Sequence, residues 1–132
     1  MIRLSTKLLA ICIIAGCQQH NPTGDPQLGQ VLFLDRNKGH CLLCHQLQTL
    51  DAPSQGNLGP DLTNVGDRLN LDQLIERIAD SRTVNPQTIM PAYHSTNNLN
   101  QVATQFRDQP VLSATEVVHV ATFLSLQTQA LQ

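Results

Sequence analysis

The chain has no tryptophan, one tyrosine (Tyr93) and three phenylalanines (Phe33, Phe106 and Phe123) among 132 residues, so aromatic side chains make up 3% of it. Large aromatics carry much of the buried area of an ordinary core. A domain this poor in them is short of apolar volume and has room for a bulky non-protein group. Charge is scarce as well, at 14% Asp, Glu, Lys and Arg. The basic residues form no patch interleaved with stacking aromatics, which excludes nucleic acid as a partner. No segment alternates apolar and polar residues over a useful length, so a sheet is not expected. The apolar run Leu8 to Ile14 is too short to cross a bilayer. Beyond Met1 there is a single methionine, Met90.

That apolar run has another use. Arg3 and Lys7 precede it as a basic region, and together they read as an export signal. It ends in IAGC, Ile14 to Cys17, which resembles the bacterial lipobox, where the cysteine is lipidated and becomes the first mature residue. Residues 1–16 are then a signal peptide, Cys12 is discarded with it, and Cys17 is a membrane anchor. An ordinary cleavable signal that contains a cysteine is the alternative. Several acyl chains on one residue hold firmly to a membrane surface, whereas one chain is marginal. Gln18 follows Cys17, which by resemblance to bacterial lipoproteins favours the outer membrane. Residues 17–27 are polar and read as a tether, leaving 28–132 as one domain. Removal of residues 1–16 leaves six basic against ten acidic residues, a net charge of −4.

The most specific motif is CLLCH, Cys41 to His45. C-x-x-C-H is the attachment signature of a c-type haem. Two thiols three positions apart can each add to one vinyl group of the same porphyrin, and the adjacent histidine is carried beneath the ring. Cys41 and Cys44 are the expected thioethers and His45 the proximal iron ligand. A buried porphyrin would also make up the missing aromatic volume. Zinc requires a closed set of four ligands, and no second CxxC is present. A thioredoxin-like pair would follow a buried strand, whereas RNKGH is a polar loop.

The opposite face of the iron needs a second ligand or stays open. Met90 lies in NPQTIMPAY, where Pro86 and Pro91 stiffen the backbone on either side of the sulfur. It is the expected distal ligand. A gap-filling core methionine is the alternative, and His94, His119, His40 and His20 are the competing ligands, His94 foremost.

Helical periodicity marks three segments. The first runs from about Gln27 to Asp35 and contains Gly29, Leu32 and Phe33. In the second, Leu71, Leu74, Ile75 and Ile78 repeat at i, i+3, i+4 and i+7, with Asn70 and Gln73 as a capping pair. The third begins at Ser113, whose pairing with Glu116 is a capping box, and presents Val117, Val120, Ala121 and Leu124 on one face. Loops rich in Gly, Pro and Asn join them, so the reading is all-α.

A helix with Gly29 and Phe33, then CLLCH, the Gly59-Pro60 pair, a Met loop, and a last helix with Phe123 and Leu124 together resemble class I cytochrome c. More narrowly, QGNLGPDLTNVGDR, NPQTIMPAY and PVLSATEVVHVATFL are similar to SoxX, the monohaem subunit of the SoxAX thiosulfate-oxidising cytochromes, over roughly Gly29 to Leu126. The resemblance implies three to five helices wrapped around one covalent haem c. It matches Cys41, Cys44, His45 and Met90 to the family's haem residues and Pro60 to the proline whose carbonyl orients the proximal histidine. Gly29, Phe33 and Phe123 fall where the first and last helices cross. Arg68 could meet a haem propionate, with a solvated surface arginine as the equal alternative.

The resemblance further implies an electron-transfer subunit with no catalytic residue of its own. Paired with a SoxA-like monohaem or dihaem cytochrome, it would form part of an L-cysteine S-thiosulfotransferase. A sulfur-carrier protein and a small acceptor cytochrome would be met through that complex in the periplasm. Two other readings stand beside it: a lipid-anchored cytochrome c serving a respiratory oxidase or another dehydrogenase, and a haem peroxidase or sensor, which would require an open or displaceable axial position.

Overall fold

A computed structural model describes residues 24–131. Three α-helices, α1 (Pro26–Leu34), α2 (Leu71–Asp80) and α3 (Ala114–Ser125), are joined by loops carrying short 3-10 turns, and no strand occurs among the described residues. The signal segment, Cys17 and His20 lie outside them.

Each helix starts where a side chain satisfies otherwise unpaired backbone N–H groups. Asp25 caps α1 by accepting from Gln27 and Leu28, with Pro26 at the first position. The helix therefore begins inside the stretch read from sequence as tether; the Asp25-Pro26 pair is the start signal that reading passed over. Asn70 and Gln73 form a reciprocal capping box on α2, and Ser113 and Glu116 form one on α3.

The helices pack through one tight crossing. A Cβ placed on Gly29 would lie 2.1 Å from the carbonyl oxygen of His119, so α1 meets the α3 backbone where only glycine fits. One turn on, the rings of Phe33 and Phe123 stand 5.6 Å apart and tilted by 58°, a geometry that contributes about 0.5–1.5 kcal/mol beyond burial. Leu74 and Ile78 of α2 and Val117, Val120, Ala121 and Leu124 of α3 complete the core with Phe33, Leu47, Val65 and Leu112.

Two loops lie across this helical frame. The segment after the CLLCH turn folds back on it through Gly56 N–H to Leu42 O (2.8 Å), Gly59 N–H to Cys44 O (2.7 Å) and Leu62 N–H to Gln46 O (2.8 Å). The Met90 loop is clipped to the end of α2, where Tyr93 N–H donates to Ile78 O and His94 N–H to Ala79 O. Its far side is held by Leu112 N–H to Tyr93 O (2.8 Å) and by the His94 ring against Leu112 O (2.9 Å).

Candidate cofactor site

Between these two loops and the helices lies a crevice of about 550 Å³. Its floor is the core itself: Phe33, Val65, Leu74, Ile78, Leu112, Val120 and Leu124 all face it. Its walls carry Cys41, Cys44, His45 and Pro60 from the haem-motif loops, and Met90, Pro91 and Tyr93 from the Met loop. The residues expected from sequence to hold a porphyrin and its iron thus line one cavity. The volume falls within the range of cofactor sites. A large, mostly apolar group fits these walls, with Arg68 and Arg77 among the lining residues to meet polar edges.

The CLLCH turn forms one part of the crevice wall. A 3-10 turn over Cys41–Leu43 is continued by His45 N–H donating to Cys41 O at 2.9 Å, while Leu42 is buried in the core and Leu43 faces solvent. The turn is entered through His40, which holds a left-handed backbone (φ 44°, ψ 42°) and donates its N–H to Asp35 O. For a residue other than glycine that conformation costs roughly 1 kcal/mol or more.

The His45 ring is held on two sides. Its Nδ1 lies 2.8 Å from Pro60 O, so Nδ1–H donates and Nε2 is left with a free lone pair. Its ring lies against Gly59, where an added Cβ would stand 2.4 Å from Cε1. Pro60 is itself placed by the Gly59 to Cys44 hydrogen bond and by Asp61, which accepts from the Thr63 N–H and hydroxyl. Those bonds, the hydroxyl first, lower the Asp61 carboxyl from its ordinary range.

Burial pushes the free Cys41 thiol up to about 12. A redox-active CxxC needs a depressed thiol, so the direction speaks against the thioredoxin-like alternative. Burial also raises Tyr93, to about 12, with the nearby charges of Cys41 and Cys44 as lesser causes. Among the described residues no group of three or more His, Cys, Asp or Glu side chains is arranged to hold a metal ion.

Met90 also lines the crevice, its N–H turned back to Thr88 Oγ1 at 3.2 Å. Asn85 supports the same turn by accepting from Gln87 N–H through its side chain and from Thr88 N–H through its carbonyl. Among the described residues the competing histidines are engaged elsewhere and none lines the crevice. His94 bonds Leu112 O, His119 Nδ1 accepts from Asp25 N–H at 2.8 Å, and His40 sits at the turn outside.

Two arginines reach the cavity. Arg68 does so, but its guanidinium already donates to Asp61 O at 2.5 Å. Arg77, which the sequence reading passed over, is half-buried on α2 beside Leu74 and Ile78, and its side chain makes no hydrogen bond or ion pair among the described residues. Its signal was available: a cation at i+3 from one core position and i−1 from another borders the apolar face rather than opposing it.

No family model matches the chain, and no curated protein matches it. Its structure is similar to a chain of the crystal structure of SoxXA from P. pantotrophus, with a TM-score of 0.76 and 26% sequence identity over 80% of this chain and 83% of that one. The fold is the all-α, class I cytochrome c arrangement expected from the sequence.

Proposed function

We propose that this protein is a monohaem c-type cytochrome that carries electrons in sulfur oxidation as the X subunit of a SoxAX-type complex. The observation that carries this reading is one crevice lined by Cys41, Cys44, His45 and Met90 together, in a chain whose fold is similar to that of SoxXA.

Bound there, a haem supplies one-electron redox chemistry. Cys41 and Cys44 would attach it through thioethers, and His45 Nε2 and the Met90 sulfur would hold its iron. Pro60 O fixes the His45 tautomer and, by accepting from Nδ1–H, strengthens Nε2 as a donor. A thioether from Met90 would favour the reduced state and leave no open iron site for substrate, which suits electron transfer. Arg77, at the crevice wall, would offer its charge to a propionate carboxylate. In this reading a SoxA-like cytochrome is the stable partner, and Cys17 anchors the exported chain to a membrane.

The test is purification of the tagged protein from its host in mild detergent, followed by haem staining. Co-elution of a larger c-type cytochrome, in a complex reduced by thiosulfate together with a sulfur-carrier protein, is the expected result. A haem protein that elutes alone or with oxidase subunits would replace it with the general anchored carrier.

A further inference from the structure

The outer face of α1 differs from those of the other helices. α2 turns Asp72, Gln73 and Glu76 to solvent, and the most exposed positions of α3 are Ala114 and Thr115. The nine residues of α1 contain no charged side chain, and Leu28 (50% exposed), Val31 (63%) and Leu34 (40%) point away from the core at spacings of three. On a surface helix such positions are normally polar. The opposite face is committed, through Gly29 and Phe33, to α3.

The chain enters this helix from a fixed point. Gly24 is wedged against α3, where an added Cβ would lie 2.5 Å from Val118 O, and Asp25 N–H is held by His119 Nδ1 at 2.8 Å. Only the links from Cys17 to Gly24 separate that point from the lipid-modified position. At roughly 3.5 Å per residue they span at most about 25 Å, and α1 itself extends only about 14 Å further. The whole helix therefore stays within reach of the surface in which Cys17 is embedded. A tether this short gives the exposed side chains an effective concentration at the surface on the order of millimolar.

We propose that the Leu28, Val31 and Leu34 face of α1 lies on the lipid surface to which Cys17 anchors the chain. The inference rests on the lipid-anchor reading above. The occupant is lipid rather than a protein because the short tether delivers this face to the bilayer in every anchored molecule, whether or not a partner is bound. Its consequence is orientation. Phe33, on the inner side of the same helix, lines the crevice, so a docked α1 holds the crevice mouth at one fixed attitude to the membrane.

The experiment places single reporter thiols in the mature holoprotein as Val31→Cys and, as a control on the exposed side of α2, Gln73→Cys. Their reaction with a water-soluble maleimide is timed in lipidated protein bound to phosphatidylethanolamine and phosphatidylglycerol vesicles. The reference is a soluble form of residues 18–132 exported on an ordinary cleavable signal. The expected result is a fall of about tenfold at position 31 on vesicles with no change at position 73. Equal rates at position 31 in the two forms would overturn the proposal. Failure of the full chain to float with vesicles would instead overturn the lipid anchor, and the proposal with it. Protection of position 31 in the soluble form only when a co-purified subunit is added would assign the face to a protein partner and reject lipid.

Discussion

His45 Nδ1 and Pro60 O are 2.8 Å apart, and the glycine between the proline and the rest of its loop packs flat against the same imidazole. The ring can therefore neither flip nor tilt without moving the Gly59–Pro60 backbone. Gly59→Ala tests this. With its Cβ 2.4 Å from Cε1, we expect a displaced ring, destabilisation of about 1–3 kcal/mol, and a changed axial-ligand signature in the spectrum of the purified protein. An unaltered spectrum and melting temperature would refute the role given to this contact.

Met90 lines the crevice, and we propose it as the second iron ligand. Replacing it with alanine should lower the reduction potential by roughly 0.1 V or more, within the ~0.8 V range that axial ligands command, and should admit small external ligands such as cyanide. Potentiometry of Met90→Ala checks this; an unchanged potential would return the distal ligand to the histidines or to an open position.

Asp80 accepts from the Arg82 backbone and guanidinium at 2.6–3.1 Å, and Arg82 reaches on to Asn97 O. The Arg82 hydrogen bonds, first among the causes, hold the Asp80 carboxyl down to about 2, below its ordinary 3.8. A depressed carboxylate contributes stability that is present above pH ~4 and is lost as pH falls toward 2. Acid unfolding of Asp80→Asn should be flatter than wild type across that window and unchanged in shape above it. A parallel profile would show that the pair does not stabilise the loop.

Gly29 carries the crossing of α1 and α3. Gly29→Ala sets a methyl 2.1 Å from a backbone carbonyl, and since neither helix can yield locally, a loss of about 2–3 kcal/mol is expected. That corresponds to a melting temperature lower by on the order of 10–20 °C. Thermal unfolding followed by circular dichroism measures it.

The double variant Cys41→Ala, Cys44→Ala removes the attachment chemistry while leaving every helix and cap in place. Because the crevice takes its apolar lining from all three helices and from both loops, a chain that does not retain the group should lose its sharp cooperative transition. A sharp transition would show that the protein core suffices by itself.

The sequence by itself determined what depends on neighbours a few residues apart. The spacing of Cys41, Cys44 and His45, the reciprocal caps Asn70–Gln73 and Ser113–Glu116, and the apolar stripes of α2 and α3 all reappear in the structure, because covalent reach and one helical turn fix them locally. The start of α1 at Pro26 belonged to the same class and was misjudged by one residue at a plain Asp-Pro signal. Only the tertiary structure decided which distant residues share the crevice. It brought Met90 and Tyr93 to the cavity and left His94 bonded to Leu112, committed Arg68 to Asp61 and left Arg77 unpaired at the wall. Those choices follow from the Gly29 crossing and from the loop bonds to Ala79, Cys44 and Leu112. Such contacts depend on how volumes and hydrogen-bond donors match between segments far apart in the chain, and residue order carries no local record of that match.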